Sequence, residues 1–150
     1  MTANFKADKS IQIQNEIEHL FINANEETLA QELKNRGHRF WPQRAQRIVL
    51  ARNFKRSLND LKQMEDLSAR DFLVKDVVGL GLKEASHFLR NIGLSENQIA
   101  ILDRHILRNL HLHNIISESK IKSPKHYLEI EQKFLKFSNT SEIPPDELDL

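Results

Sequence analysis

The chain has 150 residues, of which 39% are hydrophobic and 29% charged, and it carries a net charge of +1 and no cysteine. Without cysteine it cannot build a disulfide framework, a thiolate metal site or an iron–sulfur cluster, and no apolar run has the character of a signal peptide or the length of a membrane span. This length and balance are typical of one soluble helical domain over residues 1–150, which we expect in the cytoplasm and away from membranes.

Hydrophobic periodicity predicts three helices in the first part of the chain. Residues 9–24 form an amphipathic pattern, and Asn25 is a favourable cap for a second helix that ends at Gly37. A third helix is predicted to begin at Pro42, because proline is favoured at the first helical position. The side chains expected on the inner faces are Ile13, Ile17, Leu20, Phe21, Ala45, Ile48, Val49 and Phe54.

The middle of the chain predicts two helices joined by a glycine turn, followed by a third helix. A capping-box pattern that begins at Ser68 leads into an apolar helical segment ending near Asp76. A helix over residues 83–91 stops at Gly93, and Asp103 is expected to cap the next helix. The inner face of that next helix carries Ile106, Leu107 and Leu110.

Proline marks the start of the last two predicted helices. Pro124 follows the cap residue Ser123, and Pro144 opens a helical turn that acidic residues reinforce. The inner face of the long helix is expected to carry Tyr127, Ile130, Phe134 and Leu135. No segment alternates apolar and polar residues convincingly enough for a sheet, so the predicted fold class is all-α.

A basic segment lies between Lys34 and Arg56, where eight lysines or arginines occur without a single acidic residue. Such a segment is often a solvated helix face, but it also fits the electrostatic footprint of phosphate contacts. Arg44 and Arg47, on the outer side of the third helix, are our candidates for contacts to a DNA backbone.

The turn at residues 77–83 contains two glycines one position apart. Glycine permits positive φ and a close approach of another chain, and the following helix presents N–H groups beside its positive dipole end. Gly79, Leu80 and Gly81 therefore predict an anion site that suits a phosphodiester. The alternative is an ordinary turn between helices with Lys83 as a surface lysine; a dinucleotide fingerprint is excluded because its third glycine and preceding strand are missing.

This turn and the next cap resemble the helix-hairpin-helix DNA glycosylase superfamily, and within it the archaeal-type 8-oxoguanine DNA glycosylase/AP lyases. The stretches that carry the resemblance are VGLGLKEASHFLRNIG (78–93) and AILDRHILR (100–108). The similarity is strongest in the hairpin core at about 68–111 and extends over nearly the whole chain. It implies a helix-hairpin-helix glycosylase fold, double-stranded DNA with an oxidised purine as partner, a monomer and no required cofactor. Because members of that family continue beyond both ends, we expect a fold that is incomplete at its N- and C-termini.

The resemblance also assigns the chemistry, with Lys83 as nucleophile and Asp103 as its catalytic partner in base excision repair. A neutral lysine amine that attacks the anomeric carbon forms a Schiff base, and β-elimination then cleaves the strand. Asp103 would accept a proton and stabilise the positive charge that develops on the sugar. The alternatives are a solvated lysine at a helix start and an ordinary N-cap.

Base excision requires the nucleotide to leave the stack, and this step needs a stacking wall and a wedge. Phe40 and Trp41 are candidates for the wall, with Phe40 favoured because family members carry an aromatic residue there; the alternative is a hydrophobic staple at the Pro42 helix. Asn4 occupies the place where related glycosylases insert a polar residue, although it also fits a plain turn residue.

Among seven histidines, His105, His111 and His113 are close in sequence but lack a carboxylate cluster, so no metal enzyme is predicted. The superfamily implies a structural monovalent cation at the hairpin carbonyls.

Two rival functions remain: a DNA-binding module without catalysis, such as an inactive truncated remnant, and a helical interaction protein that does not bind DNA.

Overall fold

The structure, a computed structural model, describes residues 5–149, without the side chain of residue 66. All regular secondary structure in this range is helical, which confirms the all-α prediction. The helices are α1 (Ala7–Asn23), α2 (Glu26–Asn35), α3 (Trp41–Ala51), α4 (Leu58–Leu61), α5 (Asp66–Asp76), α6 (Leu82–Asn91), α7 (Arg104–Leu112), α8 (Pro124–Ser141) and α9 (Pro145–Leu148), with a 3-10 segment (Arg52–Ser57) after α3.

Backbone contacts divide the chain after Leu58 into two compact units. The first unit contains α1, α2 and α3, and the second contains α5 to α9, with α4 beginning at the division. The prediction of one domain over the whole chain stays a prediction. No helix within residues 5–149 is long and apolar enough to cross a membrane.

The first unit forms around the helix ends that the sequence predicts. The Asn25 side chain accepts a hydrogen bond from the Thr28 N–H at 2.8 Å, which caps α2. At the other end, Gly37 adopts φ +72° and the His38 N–H reaches the Leu33 carbonyl at 2.9 Å, as in a Schellman motif. These caps orient a buried core of Ile13, Ile17, Leu29, Leu33 and Ala45.

Helix α3 differs from its prediction at both ends. It begins at Trp41, so Pro42 is the second helical residue rather than the first. Proline is tolerated at either position because the first N–H groups of a helix have no intrahelical partner. From Arg52 the chain continues as a 3-10 segment. The Arg52 guanidinium donates to the carbonyls of Phe21 at 2.7 Å and Leu20 at 3.1 Å, which satisfies acceptors at the end of α1.

In the second unit, α5 begins earlier than the sequence pattern indicates. The predicted capping box at Ser68 is wrong, because α5 starts at Asp66 with Glu65 as its N-cap and Ser68 lies inside the helix. Within this helix Ala69 and Leu73 are both buried.

The core of the second unit packs around α7 and α8. Ser123 caps α8 by accepting from the His126 N–H at 3.1 Å, and Pro124 is its first residue, as predicted. The predicted inner face is confirmed for the fully buried positions, while Leu135 is half-buried. The buried core residues are Ala100, Leu102, Leu107, Leu110, Ile116, Tyr127, Ile130 and Phe134.

Candidate active site at the helix hairpin

The turn between α5 and α6 is a short exposed hairpin with one glycine in a strained region. Gly79 adopts φ +92°, a conformation that L side chains rarely take. Gly81 does not use this freedom, because its φ of −96° and ψ of −179° are extended. Its lack of a side chain matters instead, because a Cβ would lie 3.2 Å from Glu84 Oε2.

The start of α6 presents its first turn without a side-chain cap. Gly81 is the N-cap residue and provides no side-chain hydrogen bond to the N–H groups that follow it. Val78, beside Gly79, is 60% exposed, so the hairpin projects into solvent. Exposed N–H groups at a positive dipole end bind anions, and a DNA phosphate is an anion of suitable size.

Lys83 is the second residue of α6 and faces a cavity. Its side chain is 39% exposed, and its ammonium lies 3.4 Å from a carboxylate oxygen of Glu84. The cavity has a volume of about 450 Å³ and is also lined by Leu102, Lys122 and Tyr127. Lys83 therefore combines access from solvent with a cavity large enough for part of a ligand.

Asp103 is the N-cap of α7, as the sequence predicts. A single carboxylate oxygen, Oδ1, accepts from the N–H groups of His105 at 2.7 Å and Ile106 at 2.9 Å. The cap therefore leaves the other oxygen, Oδ2, outside these two bonds. The preceding residue, Leu102, lines the cavity that Lys83 faces, so the structure brings the loop that carries Asp103 to that cavity.

The predicted aromatic pair on the first unit separates into two environments. Trp41 packs against the core of that unit, and the Lys34 ammonium lies 5.3 Å from its ring centre. Phe40 is the N-cap of α3, does not belong to this core cluster, and lies 5.1 Å from the Arg39 guanidinium carbon. Core packing accounts for Trp41, while Phe40 stays available for another contact.

The other residues that the sequence analysis named lie on α3, on α7 or outside the described residues. Arg47 is exposed on α3 and Arg44 is half-buried there. Asn4 lies outside the described residues. His105 is exposed, and its Nε2 accepts from the Arg104 Nε at 3.1 Å. Over residues 5–149, no group of three metal-binding side chains could hold a metal ion.

Part of the basic segment is neutralised by acids that lie outside it in sequence. The Arg36 guanidinium pairs with Glu16 at 2.8 Å and also contacts Glu32. Hydrogen bonds from Gln12 and then from Arg36 lower the pKa of Glu16, and the contact with Glu32 raises the pKa of Arg36. A count of charges within one stretch of sequence therefore overstates the positive charge that is open to DNA.

The sequence interpretation missed Lys122 as a residue of the cavity. Residues 119–128, which include the start of α8, contain three lysines and no acid, and this was the signal available in the sequence. Lys122 is exposed and its ammonium lies 2.5 Å from Glu118, whose pKa that contact lowers.

A helix, an exposed glycine hairpin, a second helix with a lysine in its first turn and an aspartate-capped third helix define the helix-hairpin-helix class of DNA glycosylases. The sequence profile described as 8-oxoguanine DNA glycosylase matches residues 1–143. The chain belongs to the 8-oxoguanine DNA glycosylase family.

Individual relatives agree with this assignment. The chain is 46% identical over 152 residues to the 8-oxoguanine DNA glycosylase/AP lyase of Methanocaldococcus jannaschii, covering all of this chain and 72% of the relative. The crystal structure of the Thermotoga maritima 8-oxoguanine DNA glycosylase has a TM-score of 0.87 at 39% identity, covering 99% of this chain and 71% of that one. The M. jannaschii enzyme in complex with a 15mer DNA containing 8-oxoguanine has a TM-score of 0.88 at 45% identity, covering 99% and 72%.

Proposed function

We propose that the protein is a bifunctional DNA glycosylase/AP lyase that excises 8-oxoguanine from double-stranded DNA and cleaves the resulting abasic site. The observation that carries this proposal is the position of Lys83, at a cavity that also receives the loop bearing Asp103 and directly after the exposed hairpin. Two relatives that match over the whole of this chain, at 46% and 39% identity, are named 8-oxoguanine DNA glycosylase/AP lyase.

In the proposed reaction the hairpin holds the DNA backbone while the damaged nucleotide leaves the stack. The N–H groups at the start of α6 and the backbone of Gly79, Leu80 and Gly81 bind a phosphate. Arg44 and Arg47 are our candidates for further contacts to the DNA backbone. Extrusion of one nucleotide costs about a few kcal/mol, which these contacts offset.

Lys83 is the proposed nucleophile for both chemical steps. Its neutral amine attacks C1′ of the sugar, the bond from C1′ to the base nitrogen breaks, and the base leaves with a proton. Opening of the sugar ring at the C1′–O4′ bond, with loss of a proton from the nitrogen, turns this adduct into an imine. The imine makes the C2′ proton acidic, and removal of that proton breaks the C3′–O bond and cuts the strand. Water then hydrolyses the imine and regenerates the lysine.

Asp103 supports this reaction through its charge. Its Oδ1 is engaged in the cap of α7, so we assign proton acceptance and charge stabilisation to the other carboxylate oxygen. A carboxylate beside a sugar with oxocarbenium character stabilises the transition state more than the ground state, which is the requirement for rate acceleration.

The hairpin carbonyls fit the monovalent cation that the superfamily implies. Within the described residues, the carbonyl groups of Val78, Gly79 and Leu80 accept no hydrogen bond from the protein, and backbone carbonyls are suitable ligands for such ions. A bound cation would supply positive charge beside a DNA phosphate.

We also propose that the protein acts as a monomer in the cytoplasm, where prokaryotic DNA lies.

The function is tested by borohydride trapping on a duplex that contains 8-oxoguanine. We expect a covalent protein–DNA adduct, strand cleavage without borohydride, and binding that weakens steeply as salt rises. Binding with salt dependence but without adduct or cleavage would identify a non-catalytic DNA-binding module. Absence of binding at low salt would identify a helical interaction protein.

The two roles of Asp103 can be separated by substitution. We expect Asp103→Asn to slow base excision by about 10²–10⁴-fold, because it removes the charge used in proton transfer. The melting temperature should change little, since asparagine caps helices about as well as aspartate. The control, Asp103→Ala, removes both functions and should also cost about 1 kcal/mol of stability. If Asp103→Asn excised the base at the wild-type rate, Asp103 would serve only as a helix cap.

Phe40 and Trp41 should respond differently to truncation. We expect Phe40→Ala to weaken binding of the lesion duplex by about 1–3 kcal/mol, the typical contribution of one stacked base, with a small effect on melting. Trp41→Ala should instead lower the melting temperature, because it removes packing from the core of the first unit. Dissociation constants and thermal melts measure both effects, and the opposite pattern would exchange the two roles.

A further inference from the structure

The segment Ile99–Leu102, directly before Asp103, has no regular secondary structure, and it is buried except at Ile101, which is half-buried. Ile99 and Ala100 are 0% exposed and Leu102 is 1% exposed. A buried segment of this kind must find hydrogen-bond partners for its backbone outside helices and sheets. In this protein, side chains from α6 and α8, together with Asp149 directly after α9, supply those partners.

Five backbone groups of this segment bond to side chains. The Ile99 carbonyl accepts from Arg90 at 3.3 Å, and the Ala100 N–H donates to Glu131 Oε1 at 2.9 Å. The Ile101 N–H donates to Asp149 Oδ2 at 2.7 Å. The remaining two, the Ala100 carbonyl and the Leu102 N–H, both bond to the Tyr127 hydroxyl, at 2.7 Å and 3.4 Å.

Tyr127 therefore holds the two residues on either side of Ile101, immediately before the cap. Its hydroxyl donates to the Ala100 carbonyl and accepts from the Leu102 N–H, so one atom fixes two points of the chain. Burial raises the pKa of Tyr127 to about 12, and the hydroxyl keeps the proton that it donates. The same side chain lines the cavity that Lys83 faces.

The network continues to the helix that carries Lys83. Glu131 pairs with Arg70, and the two side chains are 1% and 2% exposed. The same Arg70 nitrogen lies 3.4 Å from the Ser86 hydroxyl, one turn after Lys83 on α6. One buried polar network thus touches α5, α6 and α8 together with the segment that ends at Asp103.

We propose that Tyr127 and Glu131 are positioning residues for the reaction, because they hold the segment that places Asp103 relative to the Lys83 helix. The expected effect on the reaction rate rests on the proposed function, whereas the positioning of the segment rests on the network alone. Neither side chain is assigned contact with the reacting atoms. A displacement of about 1 Å in a catalytic group can lower a rate by about 10²-fold, so the effect should be measurable.

The test compares Tyr127→Phe with the unchanged protein. We expect the single-turnover excision rate at saturating enzyme to fall about 10–100-fold, with the dissociation constant for the lesion duplex within about twofold. Amide hydrogen exchange should rise at residues 99–103 because the two bonds to the hydroxyl are lost. The rate constant is calculated per enzyme molecule that borohydride can trap. If neither this rate constant nor the amide hydrogen exchange at residues 99–103 changed, the proposal would be overturned.

A matched control separates positioning from general stability. Phe134→Leu removes packing from the same helix without touching the network, so at a comparable loss of melting temperature it should leave the rate constant near wild type. An equal fall in rate for both variants would overturn the proposal. Should Tyr127→Phe not fold, Glu131→Asp takes its place, since it keeps the charge beside Arg70 but shortens the reach to the Ala100 N–H. The same fall in rate and rise in exchange are expected of it, and the absence of both would overturn the proposal.

The exchange measurement also distinguishes this proposal from the proposed function. Absence of an adduct with the unchanged protein would refute the glycosylase function. The structural part would then be decided by hydrogen exchange alone: greater exchange at residues 99–103 in Tyr127→Phe supports it, and unchanged exchange overturns it.

Discussion

Replacement of Lys83 by glutamine should abolish the borohydride-trapped adduct with 8-oxoguanine DNA and reduce strand cleavage to background. Glutamine is close in length to lysine but has no amine that can form a Schiff base, so both chemical steps lose their nucleophile. Duplex binding should persist, because the hairpin backbone and the start of α6 are unchanged. Gel analysis of the adduct and a binding titration measure the two results.

Lys122 provides the matched control for this experiment. It lines the same cavity as Lys83 but follows the α7–α8 connection and pairs with Glu118 on the surface. We expect Lys122→Gln to form the adduct at the wild-type level when DNA is saturating. An undiminished adduct in Lys83→Gln, or its loss in Lys122→Gln alone, would move the nucleophile to another amine.

Replacement of Arg70 by methionine should cause the largest loss of stability among the substitutions considered. It leaves the Glu131 carboxylate buried at 1% exposure without its counter-charge. Removing one partner of a buried ion pair costs about 3–5 kcal/mol, which corresponds to roughly 6–20 °C in melting temperature for a chain of this length. Thermal and urea unfolding measure the change.

Two comparisons show whether burial is the cause. In the double variant Arg70→Met with Glu131→Gln, no unpaired charge is buried and the amide oxygen can still accept from the Ala100 N–H, so much of the lost stability should return. Glu118→Gln breaks an exposed ion pair with the same 2.5 Å separation, and it should leave melting nearly unchanged. A melting temperature of Arg70→Met close to that of the wild-type protein would contradict this account.

Most helix boundaries and the position of the hairpin could be predicted from the sequence because they depend on local chemistry. Asn25, Asp103 and Ser123 cap helices through bonds to N–H groups two or three positions away. Gly37 and Gly93 end helices because each adopts positive φ, at +72° and +76°. Lys83 directly follows the glycine turn and Asp103 is itself a helix cap, so the place of each likewise depends on neighbouring residues.

Local patterns were insufficient where several conformations satisfy the same rule. Ser68 fits a capping box, yet α5 begins two residues before it. The local pattern gives Phe40 and Trp41 the same alternatives, and only the family resemblance favours Phe40; the packing of Trp41 on the first core separates their environments. In the basic segment, Arg36 is neutralised by Glu16, twenty positions away in sequence.

The sequence by itself determined the helices, their caps and the motif that predicts DNA chemistry, because each depends on interactions a few residues apart. Only the tertiary structure decided which charged residues are buried together. Arg70 and Glu131 are separated by 61 positions, and each is a polar residue on an otherwise apolar helix face. A buried charge is tolerated when a distant chain segment supplies its partner, and that partner becomes known only when the helices pack.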